Sequence, residues 1–324
     1  MVTEKSDERR VFMILSPRSL AYARFALESL FRNCAERVSL VLISDSRDDV
    51  LILERELERL GEGGQSPKPA ALVYGETDLA DLEQDKFRNF EHIRNFRHGH
   101  PCWRKITDPI LLSDDRDEMI VLDPDLYFPN RFCFEQTPQS GVLLMWQRPS
   151  CLLPAEVVEA AINADVALAH HTDIGVAQWR APVDLEWLNW LIERIGSSHM
   201  PRNMHVESIV WAALAMKIGG GYLDPRKWVC WHRSQYKRIL VKLGVPGSSI
   251  LERESFSGIK CFHAGGVAKW WLADTQRRGT IDRKEDVTKN SAPLPYEQLT
   301  PSKYHRIQRN RSLLRKLGYY RILG

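Results

Sequence analysis

The sequence predicts an α/β domain: a mostly parallel sheet with helices on both faces. Three observations predict it. Short apolar runs alternate with stretches of helical spacing, the pattern of consecutive strand–helix units. The 324 residues, 44% hydrophobic and 27% charged, suffice for one large α/β domain or two small ones. An acidic step, Asp123-Pro124-Asp125, directly follows the apolar run 119–122. In such sheets ligands sit beyond the carboxyl ends of the strands.

The elements follow in order. Residues 11–15 form a short apolar strand, broken by Ser16-Pro17-Arg18-Ser19. Residues 21–31 carry Phe25, Leu27, Leu30 and Phe31 at roughly helical spacing. Residues 39–43 make a second strand, 50–60 a charged amphipathic helix, 61–69 a loop and 70–74 a third strand. A helix over 102–112 delivers the chain to the strand 119–122. A strand over 141–146, a helix over 155–168 and a short strand over 175–178 come next. Helices over 185–195 and 206–218 follow, and Gly219-Gly220-Gly221 reads as a flexible stop.

Composition narrows the function classes. A net charge of +3 is too small to argue for nucleic acid. Six cysteines without CxxC or metal-ligand spacing read as free thiols of a reducing compartment. No apolar run approaches a membrane span, and MVTEKSDERR lacks the apolar core of a signal peptide. The expectation is a cytoplasmic protein.

Two constellations carry chemistry. Asp123 and Asp125, on a turn stiffened by proline, can share one hard cation, although Asp-Pro-Asp is also ordinary turn chemistry. The segment 261–271, CFHAGGVAKWW, gathers His263, Gly265, Gly266, Lys269, Trp270 and Trp271. A neutral imidazole can complete a Mn²⁺ shell begun by two carboxylates, and a lysine can meet a phosphate as a point charge. A core histidine beside an aromatic cluster is the structural alternative.

In these two motifs the chain resembles the metal-dependent GT-A glycosyltransferases, in particular retaining family eight, which includes lipopolysaccharide galactosyltransferases and glycogenins. His263, Gly266, Lys269 and Trp271 reproduce that family's H-x-x-G-x-x-K-x-W signature in register, with Trp270 where proline is usual. Asp123 and Asp125 match its DXD step. Lys105 precedes Pro109 by four residues, where the family carries arginine, and Leu27-Glu28-Ser29-Leu30 is similar to its first helix. The resemblance covers roughly residues 10 to 272.

The resemblance implies a GT-A, Rossmann-like domain over 1–275: a central mixed β-sheet flanked by helices, of the nucleotide-diphospho-sugar transferase type. It implies that Asp123, Asp125 and His263 hold Mn²⁺ (or Mg²⁺), and that Lys105, Gly266 and Lys269 help bind a UDP-sugar. Lys269 would also stabilise the departing diphosphate. The implied activity is hexose transfer to a carbohydrate or lipid-linked acceptor, with retention expected and inversion open if Glu207 serves as a base. Two departures matter. Asp173, in TDIGV, replaces the family's sugar-contacting asparagine. Glu207-Ser208 stands where a D-Q pair is usual, so Glu207 could hold a sugar hydroxyl, act as nucleophile or serve as base. The structural alternatives are a turn cap for Asp173 and a first-turn helix acid for Glu207. A nucleotidyltransferase or a non-catalytic nucleotide-sugar-binding protein is the alternative function. The loop 16–19, however, lacks a glycine-rich phosphate cradle.

Trp228 or Trp231 is the candidate for acceptor contact among many tryptophans. Adjacent residues seldom face the same way, which argues against a second metal at His170-His171. The segment 276–324 reads as a basic, aromatic tail. Within it, 301–324 holds seven Lys or Arg and no Asp or Glu, so the tail is a solvated helix, a contact for an anionic membrane surface or a contact for an acidic partner. Peripheral attachment to the inner face of the cytoplasmic membrane is the corresponding expectation, with no nucleic acid partner.

Overall fold

The computed structural model describes residues 8–62, 70–180, 182–232 and 234–319. The first seven residues, most of the loop 61–69 and the tail end from 320 lie outside the described residues.

Strand β1 (Glu8–Ile14) leads through a 3₁₀ turn into α1 (Leu20–Asn33). β2 (Arg37–Ser44), α2 (Arg47–Glu62) and β3 (Ala70–Gly75) complete a parallel unit. β1 and β2 are apolar throughout their cores because helices cover both faces. Helices α3 (Ala80–Lys86) and α4 (Glu91–Gly99) have no counterpart in the sequence reading. α5 (Arg104–Leu111) is preceded by a 3₁₀ turn over Pro101–Trp103, so the helix expected from 102 begins two residues later.

β4 (Glu118–Leu122) ends at the acidic step, and β5 (Leu126–Tyr127) and β6 (Arg131–Phe132) follow it. β7 (Val142–Trp146) precedes α6 (Ala155–Asn163), which stops five residues earlier than expected. β8 spans Thr172–Arg180, not the short 175–178 strand expected. α7 (Leu185–Arg194) and α8 (Val206–Ile218) lie close to their expected bounds. The glycine run is a strand rather than a flexible stop: β9 (Gly220–Tyr222) pairs with β7. A side chain at Gly220 would collide with the Val142 backbone at 1.9 Å, so a residue without Cβ is required there.

The chain continues through β10 (Trp228–Cys230), α9 (Gln235–Lys242), α10 (Gly247–Leu251), β11 (Cys261–His263) and α11 (Lys269–Arg277). β12 (Asp286–Val287) and α12 (Pro301–Lys316) close it. The central sheet has the order β3-β2-β1-β4-β8-β7-β9. It is mixed, since β8 runs antiparallel to both β4 and β7 while the other pairs are parallel. One core cluster covers each face, and a third packs around Phe256, Phe262 and Leu272 behind β11.

Two further corrections concern side chains. Trp228 is fully buried, donating through Nε1 to Glu135 at 2.9 Å, and Trp231 is buried edge-on to Trp271. Neither is presented for acceptor contact. His170 and His171 do face one another, with ring centroids 3.9 Å apart, because Thr172 opens β8 directly after them. The segment from residue 276 is packed along the domain as far as Tyr304, whose ring is 3% exposed and whose hydroxyl donates to the Ala155 carbonyl.

Candidate active site

Six elements converge on the acidic step. β4 delivers Asp123, and the Asp123 amide donates to the Gly175 carbonyl of β8 at 2.9 Å. That bond fastens Asp173, two residues earlier on β8, beside the step. β11 runs antiparallel to β5, with His263 opposite Leu126, and the Ala264 amide donates to the Asp125 carbonyl at 2.9 Å. His263 is thereby held against both acids. α11 starts at Lys269, and α5 and α8 bring in Lys105 and Glu207.

His263 Nε2 lies 3.2 Å from Asp125 Oδ1 and 3.7 Å from Asp123 Oδ2. Its Nδ1 meets Asp173 Oδ1 at 2.8 Å, and the same oxygen accepts the Gly175 amide at 3.0 Å. Lys269 Nζ stands 3.7 Å from Asp125 and 4.9 Å over the Tyr22 ring. The Lys105 ammonium lies against Asp123 Oδ1 and donates to Glu207 Oε1 at 2.9 Å. Glu207 is 1% exposed, and its Oε2 has no hydrogen-bond partner. Gly266 takes φ +67, a backbone that turns the chain between His263 and Lys269 without Cβ strain.

Burial dominates the electrostatics, and specific charges then sort the groups. Burial would raise Asp125, but His263 and Lys269 outweigh it and pull it to about 2. Burial and the charge of Asp125 raise Asp123 against the pull of Lys105. Burial pushes Glu207 up to about 8 despite Lys105. One ammonium between two buried carboxylates favours a single negative charge shared across them. Burial opposes the charge on His263, yet Asp173 and Asp125 hold its pKa well above the ordinary value. The Cys102 thiol beside this cluster is raised to about 12 by burial and is inert.

A cleft of about 160 Å³ opens onto the cluster, walled by Ser16, Tyr22, Asp45, Cys102, Lys105, Asp123, Asp125 and Lys269. All the predicted polar residues (Lys105, Asp123, Asp125, Asp173, Glu207, His263 and Lys269) therefore come together. The donor set suits a hard divalent ion: ligand atoms of Asp123, Asp125 and His263 lie within 4.8 Å of one another. Asp173 on Nδ1 leaves Nε2 as the ligating nitrogen, the usual carboxylate support of a metal-bound histidine.

Sequence reasoning quoted Gly175 within TDIGV and gave it no role. A Cβ there would meet His263 Nδ1 at 2.7 Å, so glycine is what lets the imidazole reach Asp173. It also missed Arg97 and Arg104, which clasp buried Asp108 at 2.8 Å each and seat α5. Tyr22 under Lys269 and Cys230 beside Asp173 were likewise unread. The place of Gly175 in TDIGV, inside a strand-like run, was the available signal.

No protein-family profile matches the chain, and no curated protein sequence does. Solved structures do match. Mouse xyloside xylosyltransferase 1, in its apo form, is 11% identical, with a TM-score of 0.53 over 81% of this chain and 99% of that one. The mannosyltransferase Ktr4p of S. cerevisiae is 10% identical, with a TM-score of 0.41 over 67% of this chain and 68% of that one. The glycosyltransferase GlyE of Streptococcus pneumoniae is 12% identical, with a TM-score of 0.42 over 86% of this chain and 61% of that one. The fold assignment rests on the first of these. With the sheet order and the acidic step at the end of β4, it establishes that this chain has the GT-A glycosyltransferase fold.

Proposed function

We propose that the protein is a metal-dependent glycosyltransferase that moves a hexose from a UDP-sugar to a carbohydrate or lipid-linked acceptor. The observation that carries this reading is the convergence of Asp123, Asp125 and His263 at the end of β4, flanked by Lys105 and Lys269. Asp123, Asp125 and His263 would hold Mn²⁺ or Mg²⁺. When bound, the ion supplies Lewis-acid charge to a nucleotide diphosphate.

The chain's own residues do the rest. Asp173 orients His263 and fixes its tautomer. Lys269, at the cleft mouth, meets the diphosphate as negative charge develops on it during departure. Lys105 neutralises Asp123 and positions Glu207. The unpartnered Oε2 of Glu207 is free to accept a sugar hydroxyl, and retention is the stereochemistry we assign. Gly266 lets the backbone approach the phosphates. The exposed cations and leucines at the end of α12 and just beyond it (Arg309, Leu313, Arg315, Lys316 and Leu317) would meet an anionic acceptor surface.

Calorimetric titration of UDP, with Mn²⁺ and then after chelation, tests the site. Micromolar binding that vanishes on chelation is expected; identical binding in both conditions removes the metal assignment. Release of free UDP from the donor, rather than pyrophosphate chemistry, separates transfer from nucleotidyl transfer. The coupling constant of the new anomeric proton reads the stereochemistry.

A further inference from the structure

We infer that a basic pocket at the start of β8 is a second anion site, built to take a phosphoryl or diphosphoryl group carried by the acceptor. The pocket, of about 460 Å³, lies between β8 and α12. Arg148, Lys303, Arg306 and Arg311 line it, with His170 and His171 at its wall. Its one carboxylate, Glu297, is already held by Lys303. Among the described residues no carboxylate forms an ion pair with Arg148, Arg306 or Arg311. Three cationic side chains around one cavity therefore have no carboxylate counterion among the described residues, and a multiply charged anion supplies one.

A buried group points the same way. His170 is only 5% exposed, and its Nδ1 has no hydrogen-bond partner. An unpaired buried nitrogen is costly unless a ligand completes it. Burial, with His171, Lys303 and Arg148, depresses its pKa to about 4. The ring is therefore neutral, and in its Nδ1–H tautomer it donates one hydrogen bond to an anion. Ligand atoms of His170, His171 and Glu297 also lie within 4.8 Å of one another, a spacing that a transition metal could use. A dication there would add to uncompensated positive charge, so the anion is favoured.

The pocket is joined to the candidate active site. Arg148 and Pro149 also wall an adjoining cleft of about 560 Å³, lined in addition by Trp146 and Cys230. The Cys230 thiol lies within 4.8 Å of ligand atoms of Asp173 and His263. An acceptor anchored by its phosphate beside His170 would run along this cleft to the back of the transfer site. The assignment to the acceptor rests on the transferase reading; the anion site itself does not.

The test is calorimetric titration of inorganic pyrophosphate into metal-stripped full-length protein. The expected result is binding that Lys269→Gln retains and that Arg148→Gln and Arg311→Gln each weaken by roughly tenfold or more. Both arginine variants should keep metal-dependent UDP binding. A pocket failure then differs from a failure of the transferase site, where UDP binding is lost and pyrophosphate binding persists. No pyrophosphate binding, or binding lost only in Lys269→Gln, overturns the proposal. Stoichiometric Zn²⁺ binding abolished by His171→Ala, without pyrophosphate binding, overturns it in favour of a metal. A parallel titration with geranyl diphosphate assigns the source: tighter binding than pyrophosphate marks a lipid-borne group, and equal binding a soluble one.

Discussion

At the scale of single residues, the candidate site is a set of charges that burial would suppress one by one and that proximity sustains. His263 and Lys269 hold Asp125 ionised against burial, so Asp125→Ala should lower Mn²⁺-dependent UDP affinity by roughly 100-fold or more. Unchanged calorimetric affinity would show that the ion, if any, sits elsewhere. Lys105 has the opposite duty. Replacing it with alanine leaves Asp123 and Glu207 buried without a counter-charge, and should cost about 3–5 kcal/mol in denaturant unfolding. His263 sets the pH dependence. Its raised pKa means that Nε2 carries a proton near neutral pH in the metal-free protein. That proton stabilises the fold fully below the unfolded value of about 6.5, and the gain is lost as pH rises through the higher folded value. A metal bound at Nε2 must displace it, so metal affinity should rise with pH and about one proton should be released per ion. Calorimetry in buffers of different ionisation enthalpy reads this release; an enthalpy independent of buffer would show that His263 is not a ligand.

At the scale of elements, β8 organises the site. It is the antiparallel strand between β4 and β7, and its register with β4 places Val176 opposite Leu122. The Gly175 and Asp173 positions therefore run on past the end of β4, level with Asp123 and His263. The register with β7 shifts between Leu144 and Met145, and Asp173 falls opposite Met145. Gly175→Ala tests this directly. The added methyl would push against His263, so Mn²⁺-dependent UDP affinity should fall by about tenfold or more. Far-UV circular dichroism should remain that of the parent. Full metal affinity in this variant would mean that the imidazole adjusts freely and that β8 does not hold it.

At the scale of the whole molecule, the C-terminal segment is bound to the domain at several separate places. β12 pairs with β6, Leu294 bridges Tyr222, Gln298 bridges Ala169, and Tyr304 reaches the core beside α6. Tyr304→Ala should therefore destabilise the fold by about 3 kcal/mol, whereas Leu313→Ala, at a half-exposed position further along α12, should stay within about 0.5 kcal/mol. Thermal or denaturant unfolding distinguishes them; equal effects would mean that α12 is anchored through its far end instead. The same docking places α12 against the His170 pocket, so the helix read as a solvated or surface-seeking tail also supplies a wall of that pocket.

The sequence alone determined the alternation of strands and helices through α2 and β3, the acidic step, and the His263-to-Lys269 segment. Local patterns encode these: apolar runs of strand length, helical spacing, and charges placed where a strand ends. It did not reveal the length of β8, the strand character of Gly220–Tyr222, or the facing of His170 and His171, because those depend on partners far along the chain. Burial of Trp228 and Trp231 escaped it for the same reason, since aromatic rings suit a sugar-binding surface and a core equally well. Only the tertiary structure decided that Lys105 would be shared between Asp123 and Glu207. Only it decided that Gly175 would make room for His263, since a charge or a missing methyl acquires meaning from what folding places within a few ångströms of it.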